Sequence, residues 1–230
     1  MPILVKKNLN DQVYESLRQN IIDQKIPSGA KLINRDIQKQ YGVSSTPVRD
    51  AIHRLHRDGL LENISNSGAR VIQFTYSMAV ELNEIMSMLN CGAVSLSAQK
   101  SDLKNMAPLL QQSIALQKKN IHTPQYYAYD EQFHHVFFDF CQNKRFKQLY
   151  QQYATLWALL SRLYYQDEQS SQDASIACHE QIMRAYCRHC IPEACAHMHD
   201  HFTSALLSFR KTFHTPSVDD PSDPSFPKKR

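Results

Sequence analysis

Acidic and histidine side chains recur on apolar helical faces in the C-terminal two thirds of the chain. The segment YDEQFHHVFFDF, residues 129–140, places Asp130 and His134 four residues apart among aromatic residues. On a helix, two such residues project from one face and can share an ion. His179 and His201 also fall on apolar helical stripes. One carboxylate and three imidazoles suit zinc, nickel, manganese or iron, with a position left for water or a ligand.

Ordinary structural roles compete with this metal site. A core histidine can have a satisfied hydrogen bond, and Asp130 can form a salt bridge or a helix-cap contact. An ionised carboxylate on an apolar stripe is costly without a partner, so the coincidence favours a shared ion. The run CRHCIPEACAHMHDH suggests a separate zinc site or a redox pair at Cys187 and Cys190. Reduced structural thiols are the simpler interpretation.

Six helical patterns position these residues. Apolar periodicity predicts helices over roughly 77–98, 102–118, 124–141, 143–166, 173–190 and 192–213. Strand signals vanish in this part of the chain, so residues 76–213 are predicted to form an all-helical antiparallel bundle. The stretch 214–230 contains four of the ten prolines and few apolar residues, and it is predicted to be a disordered tail.

Charge divides the 230-residue chain into two parts. Residues 1–75 hold 11 Lys and Arg against 7 Asp and Glu, whereas residues 76–230 hold 15 of each. A basic N-terminal third is expected if that part meets a polyanion. The start, MPILVKKNLN, lacks the apolar core of a signal peptide, and no stretch is apolar enough to span a bilayer. A cytoplasmic protein with six reduced cysteines and no membrane partner is therefore expected.

The basic part, residues 1–75, predicts a winged helix-turn-helix. Apolar spacing indicates a helix over 11–22 and a short helix over 35–40, capped by Asn34. A second short helix is predicted from Thr46, with Pro47 at its first position. The run DGLLENISNSGARVIQF then predicts two strands joined by a turn. Two short helices, a tight turn and a hairpin are the layout of a winged helix.

In such a unit the second helix of the pair enters the major groove, and its N-terminal residues meet base edges. An arginine there suits guanine, whose two acceptors match the forked guanidinium. The residues that we expect to contact DNA are Arg35, Ser44, Ser45, Thr46, Pro47, Arg49 and Arg54, with Ser67 and Gly68 at the tip of the hairpin.

Two groups of motifs resemble known families. RDIQKQYGVSSTPVRDAIHRLHRDGLLE, with SGARV, resembles the DNA-binding domain of the GntR family of bacterial transcription regulators. The motifs DEQFH, HEQI and MHDH, which start at residues 130, 179 and 198, resemble the FCD effector domain. This resemblance implies a divalent metal, zinc above all, held by the acid and three histidines named above. It also implies an organic acid beside the metal.

The sequence departs from the family pattern at three informative positions. Met86 and Asn90 stand where FCD domains usually carry an arginine and a glutamate, so a natural partner of a carboxylate effector is missing. Ser45 replaces an arginine that helps many relatives read their operators. By resemblance, the effector pocket is expected at Met86, Asn90, Tyr126 and Phe133.

These features predict a non-enzymatic regulator, most simply a repressor, that binds a double-stranded DNA operator as a homodimer under the control of a small-molecule effector. No Gly-rich phosphate loop and no nucleophile motif occur in the sequence. Two alternatives stay open. The helical part could be a metal-dependent enzyme that activates water, or a sensor for which the metal itself is the signal.

Overall fold

The computed structural model describes residues 8–164 and 168–214. Their helices and strands, in chain order, are α1 (Leu9–Ile22), β1 (Lys31–Ile33), α2 (Asn34–Tyr41), α3 (Ser45–Arg57), β2 (Leu61–Ser65), β3 (Gly68–Val71), α4 (Tyr76–Lys100), α5 (Leu103–Lys119), α6 (Tyr126–Phe140), α7 (Lys144–Tyr164), α8 (Glu168–Cys187) and α9 (Ile191–His214). The predicted disordered tail lies, apart from His214, outside the described residues. No helix in these two ranges is both long and apolar enough to cross a bilayer.

The N-terminal region is a winged helix-turn-helix, as predicted. Helix α1 packs across α3, and α2 packs against α3 and β1. The sheet has three antiparallel strands in the order β1-β3-β2, not the two expected. The additional strand β1 pairs Leu32 with Ala69. Only Leu32 in this three-residue strand is buried, so no apolar alternation in the sequence could reveal it.

The starts of α2 and α3 correct two predictions. Asn34 does not cap α2 but is its first residue, and its Nδ2 donates to the backbone oxygen of Asn66 at 3.1 Å. Helix α3 begins at Ser45 after Ser44, so Pro47 occupies the third helical position rather than the first. The proline is tolerated there because the first four amides of a helix have no intrahelical acceptor.

Helices α4 to α9 form the all-helical region that the apolar periodicity predicted. Helix α4 packs against α6, α7 and α9, while α8 packs against α5 and α9. Fully buried aromatic rings fill the centre, among them Phe133, Phe137, Phe202 and Phe209. Helix α8 begins several residues earlier than predicted, because the polar run EQSSQ continues the helix without apolar periodicity.

The two regions share an interface between α1 and α7. Arg18 of α1 donates from Nη2 to Oγ1 of Thr155 at 2.6 Å. Arg162 of α7 donates from Nη1 to Oδ1 of Asp23 at 2.8 Å. The winged helix is therefore joined to the helical region by hydrogen bonds of two arginines.

Candidate metal centre and nucleic-acid interface

Three helices bring His134, His179 and His201 together inside the helical region. One side-chain nitrogen of each lies within 4.8 Å of those of the other two. The ring centroids are 4.7 to 5.2 Å apart, and the three side chains are at most 6% exposed. The sequence prediction grouped these three residues with Asp130, and the structure brings the three imidazoles together. Such a spacing allows one ion to contact all three rings.

Two buried amides determine which nitrogens of the cluster are free. Asn90 Oδ1 lies 2.9 Å from Nδ1 of His134, and Gln117 Oε1 lies 3.0 Å from Nδ1 of His179. Each amide nitrogen donates to a backbone oxygen, at 2.8 and 3.0 Å, so each amide oxygen must act as the acceptor. Both histidines therefore carry their proton on Nδ1 and leave Nε2 unprotonated. This is the usual arrangement of metal-binding histidines.

Nε2 of His179 is buried and has no hydrogen-bond partner in the described structure. A buried polar atom without a partner is costly. Asp130 lies at the edge of the cluster, with Oδ1 3.9 Å from this nitrogen. The same oxygen accepts hydrogen bonds from Ser175 at 2.8 Å and Tyr126 at 3.3 Å. Three helices thus bring one nitrogen of each imidazole within 4.8 Å of the others, and the Asp130 carboxylate lies next to His179 but outside this group of three.

Burial keeps the imidazoles neutral. It lowers the pKa of His201 to about 4. It also lowers the pKa values of His134 and His179 well below their usual range, with a further lowering from the neighbouring rings. Burial raises the pKa of Asp130 to about 6, against the opposing effect of its hydrogen bonds from Ser175 and Tyr126. A neutral imidazole is the form that ligates a metal, and this donor set fits a divalent transition metal.

A cavity of about 260 Å³ adjoins the cluster and includes Asp130 and His134 in its wall. Met86 and the single tryptophan, Trp157, also line it. A much smaller cavity of about 20 Å³, which also includes Asp130 in its wall, includes His201. The larger cavity gives a small molecule access to the carboxylate and one imidazole.

Two of the four predicted effector-pocket residues line a cavity, and the other two contact the histidine rings. Met86 lines the larger cavity and Tyr126 the smaller one. Asn90 and Phe133 line neither of these two cavities. Asn90 is fully buried behind His134, and the Phe133 ring stacks on His179 with centroids 4.0 Å apart.

Sequence reasoning missed the part of the cavity wall that α1 and α7 contribute. Arg18 and Gln19 come from the region assigned to DNA binding, and Thr155 comes from α7. Nothing in the spacing of these residues indicates a shared site, because α1 and α7 are more than a hundred residues apart in sequence. The single tryptophan was the one available signal, since such a large ring often lines a ligand pocket.

Most residues predicted to contact DNA are exposed in the winged helix. The exposed members are Arg35, Ser44, Ser45, Thr46, Arg49 and Ser67. A groove of about 430 Å³ separates the recognition helix α3 from the hairpin, and Arg49 and Asn66 lie on its two sides.

Three residues predicted to contact DNA also make contacts within the winged helix or are buried in it. Arg54 donates from Nη1 to Oδ1 of Asp11 at 2.7 Å, and its guanidinium lies 3.9 Å from the Tyr14 ring centroid. It therefore joins α3 to α1. Pro47 is buried at the start of α3. Gly68 is also buried, and a Cβ atom there would lie 1.8 Å from the backbone oxygen of Leu32, so it permits β1 to pair with β3.

Curated relatives match part of the chain. It is 26% identical over 142 residues to the uncharacterized HTH-type transcriptional regulator YdhC of Bacillus subtilis, covering 60% of this chain and 63% of YdhC. It is 25% identical over 132 residues to the HTH-type transcriptional repressor RspR of Escherichia coli, and this match covers 56% of this chain and 57% of RspR. The chain thus aligns with less than two thirds of either relative. Both are named transcriptional regulators, not enzymes.

Solved structures show the same fold over nearly the whole chain. Escherichia coli McbR/YncC has a TM-score of 0.73 at 18% identity and covers 90% of this chain and 99% of its own. Lar of Listeria monocytogenes has a TM-score of 0.60 at 18% identity, and the match covers 89% of this chain and 98% of Lar. Family models match residues 9–71 as gntR-family bacterial regulatory proteins and residues 81–204 as an FCD domain. The chain belongs to the GntR family of bacterial regulatory proteins and has an FCD domain as its C-terminal part.

Proposed function

We propose that this protein is an operator-binding repressor controlled by a small-molecule effector at a divalent metal ion, zinc being the first choice. The observation that carries the metal is the histidine cluster. Two of its three imidazoles are oriented by Asn90 and Gln117, and the Nε2 atom of His179 has no other partner in the described structure. Bound there by the histidines and Asp130, the metal would supply a positive charge and an open ligand position beside the cavity.

Family membership and the exposed surface of α3 support the DNA-binding half of the proposal. Serine, threonine and arginine side chains at the start of α3 offer hydrogen-bond donors to bases and phosphates. Repression is proposed because RspR and a probable D-xylose utilization operon repressor of Paenarthrobacter nicotinovorans, 35% identical over 95 residues, are named repressors. Two-fold symmetric operators would match a homodimer, which sedimentation measures directly.

The metal is tested by elemental analysis and zinc titration of the purified protein. We expect about one ion per chain in the wild type, and a large loss of affinity in His134→Ala and His179→Ala because each removes one ligand. His135→Ala is the matched control, since His135 lies one position further round α6 and faces Glu131 at 3.3 Å. Unchanged metal content in the first two variants would show that the cluster is not the site.

The DNA contact is tested by selecting an operator from random duplexes and titrating it with Arg49→Ala. We expect a loss of roughly 1–3 kcal/mol in specific binding if Arg49 reads a base. Arg145→Ala is the control, because this exposed arginine lies at the start of α7, outside the winged helix. Wild-type affinity in Arg49→Ala would exclude the assigned recognition surface. Titrations with and without zinc also show whether the metal alone controls DNA binding.

A further inference from the structure

The cavity beside the histidine cluster lies across both regions of the protein. Its wall includes Arg18 and Ile22 from α1 as well as Asp130 and His134 from α6. Helix α1 is also a main packing partner of the recognition helix α3. A molecule held in this cavity would therefore contact the DNA-reading region directly, without an intervening helix.

Four charged side chains other than histidine lie in the cavity wall, and three of them have charged or imidazole partners close by. Arg162 donates to Asp23 at 2.8 Å. Asp130 faces the histidines, and Glu131 accepts from His135. Arg18 is the exception among the described residues, because its guanidinium has no carboxylate within ion-pair distance.

Arg18 retains most of its hydrogen-bonding capacity. A guanidinium has five N–H donors, and within residues 8–164 and 168–214 its hydrogen bond is the one from Nη2 to Thr155 at 2.6 Å. A forked guanidinium pairs with a carboxylate through two parallel hydrogen bonds. Met86, on the α4 side of the wall, contributes only apolar surface. Helix α1 thus supplies the cavity with a guanidinium that has donors available for an anionic ligand.

We propose that Arg18 binds the carboxylate of a small organic acid in this cavity and so makes the DNA-reading region part of the effector site. This inference rests on the proposed function for the site, and it adds the residue that recognises the ligand and the route of regulation. A volume of about 260 Å³ restricts the ligand to a small acid. Ligand bound to Arg18 would stabilise one placement of α1 against α7, and operator DNA would alter the ligand affinity by the same factor.

Trp157 allows the proposal to be tested with natural fluorescence. It is the only tryptophan of the chain and lies in the cavity wall. Metal-free and zinc-loaded full-length protein is titrated with acetate, lactate, succinate and citrate, and with succinamide as an uncharged analogue. We expect at least one carboxylate to change the Trp157 emission and to bind more tightly than succinamide.

Arg18→Gln, Arg18→Lys and the control Arg145→Gln separate ligand recognition from folding. We expect Arg18→Gln to weaken carboxylate binding roughly tenfold to hundredfold, as for loss of a charge-assisted hydrogen bond. Arg18→Gln should also reduce the preference for the carboxylate over succinamide, and it should leave the zinc content unchanged. Arg18→Lys should bind with intermediate affinity because it keeps the charge without the fork. Arg145→Gln should match the wild type.

The outcomes distinguish this inference from the proposed function. If no carboxylate binds the wild type in either metal state, or if Arg18→Gln binds with wild-type affinity and preference, the role of Arg18 is wrong. Absence of zinc from the wild type refutes the metal centre instead, and the titration of metal-free protein still decides on Arg18. If Arg18→Gln loses ligand binding but operator affinity in the wild type ignores the ligand, the proposed coupling is wrong.

Discussion

Replacing Asn90 by leucine should weaken metal binding without removing any ligand. Asn90 is fully buried and its Oδ1 accepts the proton on Nδ1 of His134 at 2.9 Å. Leucine has a similar shape but no acceptor. The Nδ1 proton of His134 would then be buried without a partner, and the ring would lose the contact that directs Nε2 toward the cluster.

The size of the effect follows from that one hydrogen bond. Leaving a buried donor unsatisfied costs about 1–3 kcal/mol. Loss of such an outer partner typically lowers metal affinity by about 10–100-fold. Asn90→Asp should retain or increase the affinity, because a carboxylate is a stronger acceptor for the same proton. Competition between the protein and a fluorescent zinc chelator measures each value.

Asn83→Leu is the matched control, since Asn83 is another buried asparagine of α4, 6% exposed. We expect the zinc affinity of this variant to match that of the wild type. A folded Asn90→Leu protein with wild-type zinc affinity would refute the reasoning from the imidazole tautomer. An equal loss of zinc affinity in Asn83→Leu would also refute this reasoning, because the effect would then arise from the general packing of α4.

Three further predictions concern stability. Arg54→Ala should lower the free energy of unfolding by about 1 kcal/mol, because it removes a partly exposed ion pair and the contact with Tyr14. Gly68→Ala should lower it by about 3 kcal/mol, since the new Cβ meets the Leu32 backbone oxygen. In metal-free protein, lowering the pH from 7 to 5 should reduce the free energy of unfolding by roughly 2 kcal/mol through His201. The reason is that this histidine takes up a proton in the unfolded chain, where its pKa is near 6.5. The folded protein resists this proton until the pH approaches the His201 pKa of about 4.

Urea unfolding curves with matched variants check these values. Arg57→Ala should leave stability unchanged, because Arg57 is exposed on the same helix as Arg54. Gly42→Ala should cost only about 1 kcal/mol from its left-handed backbone, since nothing lies within 4 Å of the added Cβ. His201→Gln should reduce the loss at pH 5. A Gly68→Ala cost no larger than that of Gly42→Ala, or a pH dependence that His201→Gln leaves unchanged, would contradict the structural explanation.

The elements and the four candidate ligands could be predicted from sequence because both depend on local spacing. A helical face is defined by residues three and four apart, so periodicity alone places Asp130, His134, His179 and His201 on inward faces. Helix ends were less accurate, as the start of α3 at Ser45 shows, because several neighbouring polar residues can serve as caps.

Tertiary packing determines which residues surround those ligands. Asn90 and Phe133 share helical faces with pocket residues, yet they support the histidine rings from behind. Arg54 resembles a DNA contact in sequence, but packing of α3 on α1 directs it to Asp11. Arg18 became part of the cavity through contact with α7, 137 residues from its partner Thr155.

The amino-acid sequence thus specifies the elements, their inward faces and the donor atoms, since these follow from periodicity within one helix. The hydrogen-bond partners of the histidines, the cavity and its cation arise only in the folded protein. They depend on how helices distant in sequence pack against each other, and periodicity carries no information about that packing.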